Sequence, residues 1–64
     1  MQRVRTGKRE QILDVAGLSV VEKGFAATSI EEIIVEVGIT KSGFFYHFSD
    51  KNELAKALLQ RYID

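Results

Sequence analysis

Apolar residues in this chain recur at helical spacing, and no stretch alternates at period two for long enough to build a sheet. From Lys8 to Lys23 the stripe is Ile12, Ala16 and Val20, with Leu13 and Val21 beside it. Gly24 follows, where a left-handed helix end carries no Cβ penalty. Gly17 weakens this first helix by about 1 kcal/mol relative to alanine, and Phe25 is expected to tuck back as an anchor. A second helix begins at Thr28 or Ser29, each with a glutamate three residues on (Glu31, Glu32), the spacing of a capping box. Ile30, Ile33, Ile34 and Val37 point inward, Glu31, Glu32 and Glu36 sit largely outside, and Gly38 stops the helix. Ile39 packs and Thr40 caps a short third helix at about Lys41 to Phe48, with Phe44 and Phe48 on its buried side and Phe45 partly buried. Asp50, with Glu53 at the capping spacing, opens a fourth helix whose inner stripe is Leu54, Leu58 and Tyr62. That helix reaches Asp64 with no stop signal, and reads as the front end of something longer.

The pattern predicts an all-α fold: a small three- to four-helix bundle containing a helix-turn-helix. A flexible basic arm is expected over 1–8, the three-helix unit over 9–48, and the start of helix four over 49–64. At 64 residues and 45% hydrophobic, the chain is long enough for one marginal core. It has no cysteine, so disulfides and thiolate metal sites are excluded. It shows no secretory signal, and no apolar run approaches the roughly 18 residues of a membrane span. The expected location is the cytoplasm, with no cofactor and no metal.

Net charge is zero, but it is segregated along the chain. Residues 1–9 hold Arg3, Arg5, Lys8 and Arg9 and no acid (+4); residues 10–36 hold six acids against Lys23 (−5); residues 37–64 hold four bases and three acids (+1).

The third helix carries the candidate chemistry. A helix that enters the DNA major groove leads with a small, polar end, as Lys41, Ser42 and Gly43 provide. Lysine donates to guanine O6 or N7, serine serves either kind of base atom, and glycine lets backbone come close. A tight helix crossing is the other explanation for Gly43. Tyr46 and His47 follow, with polar tips suited to phosphate oxygens; each also has a purely structural reading, as a half-buried tyrosine and a hydrogen-bonding histidine. Lys51 lies in the first turn of helix four, where an unpartnered lysine opposes the helix dipole and an anion is welcome. Thr28 and Ser29 can clasp the opposite phosphate wall, though capping alone explains them. Arg3 and Arg5 can reach a minor groove.

Taken in order, the motifs GFAATSI, GITKSGFFYHF and the Lys51–Leu54 segment resemble the N-terminal domain of TetR/AcrR-family transcriptional regulators. The matching residues are Ile12, Leu13, Ala16, Gly24, Phe25, Thr28, Ser29, Ile30, Ile33, Gly38, Ile39, Thr40, Lys41, Ser42, Phe44, His47, Phe48, Lys51 and Leu54. The resemblance implies a homeodomain-like fold with its recognition helix at Thr40 to His47. It carries phosphate and base contacts to Thr28, Thr40, Lys41, Ser42, Gly43, Tyr46, His47 and Lys51. Three positions depart from the family pattern: Ile34 stands where alanine is usual, Phe45 where tyrosine is common, and Gly17 where a bulkier residue is usual. The resemblance further implies a homodimer on a palindromic operator in double-stranded DNA, acting as a repressor. A small-molecule effector would act only through a C-terminal regulatory domain absent from this chain.

Two other classes compete. A small helical protein-interaction or dimerisation module without DNA binding would present Tyr46 and His47 to a protein, and its affinity would be indifferent to salt. An enzyme has little support, because Ser42 and His47 are five apart and off a shared face, and no catalytic grouping forms.

Overall fold

The computed structural model describes residues 7–63 and contains four helices: α1 (Lys8–Lys23), α2 (Ile30–Val37), α3 (Lys41–His47) and α4 (Lys51–Ile63). No strand occurs among the described residues. The expected arm and its Arg3 and Arg5 lie outside them, apart from Gly7, which precedes α1, and Lys8, which opens it.

Local chemistry sets the boundaries. Ser29 Oγ accepts the Glu32 N–H at 3.1 Å, Thr40 Oγ1 the Gly43 N–H at 3.0 Å, and Asp50 Oδ1 the Glu53 N–H at 2.9 Å. Each satisfies a donor that a helix start leaves unpaired. The capping boxes do not close as reciprocal pairs, because the glutamate side chains turn to lysines: Glu32 to Lys23 at 2.8 Å and Glu53 to Lys56 at 3.1 Å. Gly38 adopts φ 82°, ψ 40°, and its N–H and that of Ile39 both reach Ile34 O, closing α2 with the left-handed turn that glycine permits. Gly24 also has positive φ, 89°, but its ψ of 159° sends the chain out extended instead of into the expected left-handed helical cap.

One core joins the helices. Ile12, Leu13 and Ala16 of α1, Ile33 of α2, Phe44 and Phe48 at α3, and Leu54 and Leu58 of α4 are each 6% exposed or less. α1 packs on both α2 and α4, and α2 packs on α3. Ile34 is partly buried at the edge of this cluster, which accommodates its bulk. No buried side-chain nitrogen or oxygen among the described residues lacks a hydrogen-bond partner.

Four apolar expectations need correction. Val21 is 75% exposed, because it lies nine residues from Ile12, half a turn out of phase at 100° per residue. Tyr62 is 67% exposed; the site facing it on α1 is Gly17, which offers no side chain to pack against. Phe25 is not tucked in: its ring stands at the surface beneath Lys51, whose Nζ lies 4.6 Å from the ring centroid. Phe45 is more open than its neighbours imply, at 42%, with its edge against Phe44.

A charged clamp ties the last turns of α4 to the start of α1. Arg61 Nη2 lies 2.8 Å from Glu10 Oε1 and 3.0 Å from Asp14 Oδ1, and Arg9 reaches the other Glu10 oxygen at 3.6 Å. The hydrogen bond to Glu10 chiefly holds the Arg61 pKa above its ordinary value; partial burial opposes it, and Asp14 adds to the rise.

Candidate nucleic-acid interface

The four-residue repeat of α3 sorts its side chains into rows. Phe44 and Phe48 form the inner row. Ser42 and Tyr46 stand two residues before them, about 200° away, and so occupy the opposite row. Tyr46 is 84% exposed and Ser42 is open as well. Lys41 and Phe45 make one flank, and Gly43 and His47 the other. The helix is therefore seated by two phenylalanines and turns its polar leading end outward. No acid occupies its first turn.

Lys41 extends into solvent beside α2, with its Nζ 3.4 Å from Glu31 Oε2. Tyr46 and His47 meet edge to face, ring centroids 5.0 Å apart, and His47 is half-buried against Phe48. Lys51 is partly buried over Phe25, a cation–π contact that gives this lysine a partner at a helix end where the dipole alone disfavours it. Gly43 has a local explanation. A Cβ there would lie 3.3 Å from Thr40 Oγ1 and 3.7 Å from Ile39 Cβ, so the cap itself crowds the position. The alternative of a crossing with another helix is not what the geometry gives.

The expected site residues divide into three groups. Thr40, Lys41, Ser42, Gly43, Tyr46 and His47 lie together on or just before α3, with Thr40 exposed but its hydroxyl engaged as the cap. Lys51 opens the next helix. Thr28 is a correction: it is 1% exposed, and its hydroxyl donates to Gly24 O and pairs with Ser19 Oγ, both at 2.9 Å. Its side chain fastens the α1–α2 turn and is closed to any ligand. Ser29 is half-buried, with its hydroxyl taken by the α2 cap.

Two residues at this surface were not among the expected contacts. Phe45 shares the row of Lys41, a relation visible in the sequence as a spacing of four. Glu31 faces Lys41 from another helix, and no local pattern announces it. Among the described residues no group of three or more His, Cys, Asp or Glu is placed to hold a metal ion, and no helix is long and apolar enough to cross a membrane.

Residues 12–58 match the family model described as bacterial regulatory proteins, tetR family. The chain is 41% identical over 56 residues to the HTH-type transcriptional regulator YerO of Bacillus subtilis, covering 88% of this chain and 19% of that protein. It is 38% identical over 60 residues to the HTH-type transcriptional activator FasR of Mycolicibacterium smegmatis (94% of this chain, 27% of that one). It is 28% identical over 60 residues to the HTH-type transcriptional repressor KstR2 of Rhodococcus jostii (94% and 29%). The chain thus spans about a fifth to under a third of the length of these relatives. No solved structure matches it.

Proposed function

Because the chain belongs to the tetR family of bacterial regulatory proteins, we propose that it is the DNA-binding part of a transcriptional regulator, with α3 read into the major groove of duplex DNA. The observation that carries this reading is the division of α3 itself: Phe44 and Phe48 sealed in the core, Ser42 and Tyr46 on the opposite side, and Lys41 open at the leading end. In this reading Lys41 and Ser42 face base edges, while Tyr46, His47 and Lys51 engage phosphates on either side. Phe45, in the row of Lys41, offers an apolar edge to a thymine methyl. Thr28 has no direct contact; it holds the turn that sets α2 against α1.

The regulator acts in the cytoplasm, and repression is the simpler mode, since it needs only occupancy of the duplex. Relatives carry both repressor and activator names. In a full-length form, two copies bind a palindromic operator, and a C-terminal helical domain supplies the dimer contact and the small-molecule effector site. The 64-residue chain by itself binds one half-site weakly, because paired half-sites raise affinity through effective concentration. Catalysis forms no part of this reading.

Duplex titration at two salt concentrations tests it. Binding weakens as salt rises, because the lysines displace condensed counterions, with a slope near −0.9 per phosphate neutralised. Lys41→Ala and Tyr46→Ala each weaken binding severalfold while the helical circular-dichroism signal stays intact. Affinity indifferent to salt would favour a protein partner; wild-type affinity in both variants would assign binding to another face.

A further inference from the structure

Glu31 projects from the first turn of α2 and meets Lys41 in the first turn of α3, Oε2 to Nζ 3.4 Å. Both side chains are open to solvent, at 70% and 64%, so the core does not require the pair. Ser29 and Thr40 cap the two helices without help from either side chain. A carboxylate placed against the leading cation of a surface meant for a polyanion works against that surface.

We propose that Glu31 is an affinity-lowering residue, an internal anion that holds Lys41 in the free protein and competes with DNA phosphate for it. This inference rests on the DNA reading of α3. For Lys41 to reach a phosphate or a base edge, it must leave Glu31 or draw the carboxylate toward the polyanion, and both are unfavourable. The competition is modest, because an exposed pair of this kind shifts an equilibrium by only about two- to fivefold. The pair lies across the α2–α3 junction, so a movement of α3 relative to α2 would change the distance and with it the availability of Lys41.

The test is titration of a short mixed-sequence duplex with the whole chain and with Glu31→Gln, Lys41→Ala, the double variant, and Glu22→Gln. The last removes the same charge from an exposed position on α1. Glu31→Gln is expected to bind about two- to fivefold more tightly than the unmodified chain at low salt, with the gain shrinking as salt rises. The gain disappears in the Lys41→Ala background, and Glu22→Gln gives a clearly smaller change. Circular dichroism of each variant shows that the helices persist. No gain in Glu31→Gln, a gain matched by Glu22→Gln, or a gain that survives in the double variant overturns the inference while leaving the DNA reading standing. Absence of salt-dependent binding by the unmodified chain removes that reading, and this inference with it.

Discussion

Replacing Gly17 by alanine is expected to stabilise this domain, and the structure supplies each part of the estimate. Gly17 lies in the interior of α1, where glycine is about 1 kcal/mol less favourable than alanine because it surrenders more backbone freedom on folding. A Cβ at this position would meet Leu58 Cδ2 at 3.7 Å and the Tyr62 hydroxyl at 3.9 Å, ordinary contact distances that require no neighbour to move. Covering one methyl there adds at most about 0.8 kcal/mol, and less because Tyr62 is mostly open to water. The sum is about 1–1.5 kcal/mol. For a domain of this size each kcal/mol corresponds to roughly 4–8 °C, so thermal melting followed at the helical circular-dichroism band should shift upward by about 5–10 °C. Duplex affinity measured well below the transition should not change, since Gly17 is far along the chain from α3 and packs toward α4. A lower melting temperature would refute the reasoning, for it would mean that α1 and α4 approach more closely at Gly17 than described and that the glycine is required.

Thr28→Val keeps the shape of a buried side chain but removes the hydroxyl shared between Gly24 O and Ser19 Oγ. Urea unfolding should show a loss of about 1–3 kcal/mol, with duplex affinity retained in the folded protein; unchanged stability with lost affinity would return Thr28 to the set of contacts. Arg61→Met keeps the aliphatic stem and removes the bridge from α4 to Glu10 and Asp14. A loss of about 1 kcal/mol is expected at low salt, declining as salt is added, and a loss independent of salt would assign the role of Arg61 to packing.

The helix limits were legible because their determinants are local. Ser29, Thr40 and Asp50 each cap a helix by reaching three residues ahead, and Gly38 ends one by adopting a conformation that other residues resist. The buried pair Phe44 and Phe48 followed from a spacing of four, and the outward row of Ser42 and Tyr46 followed from it in turn. What the sequence hid depends on partners distant in the chain. Thr28 and Ser29 are equally good caps on local grounds, and what separates the buried threonine from the capping serine is its bonding to Gly24 O and to Ser19, nine residues back. Phe25 reads as a core residue by type, yet its companion is the ammonium of Lys51, on a helix beyond both α2 and α3. The Arg61 clamp bridges 51 residues to Glu10 and has no signature in any window of sequence.

A net charge of zero is at first sight at odds with a polyanionic partner, and the conflict dissolves once the charges are placed in space. Beyond a Debye length of about 8 Å at physiological salt, exposed charges scarcely feel each other, so the field at α3 is set by its immediate surroundings and not by the sum over the chain. Much of the acidic middle segment is matched inside the fold: Glu10 and Asp14 by Arg61, Glu32 by Lys23. Beside the proposed surface, Asp50 accepts the Glu53 N–H in capping α4, and Glu31 is set against Lys41. What remains for DNA on α3 and the start of α4 is two lysines and a handful of neutral donors. Two lysines neutralise about two phosphates, a slope of only about −2 in log affinity against log salt, far below what tight nonspecific binders display. On α3 and the start of α4 attraction alone is a weak hold, and Arg3 and Arg5 lie outside the described residues. In the proposed reading, residence on a duplex comes instead from the fit of Lys41, Ser42 and their neighbours to particular base edges, and from a second copy binding beside the first.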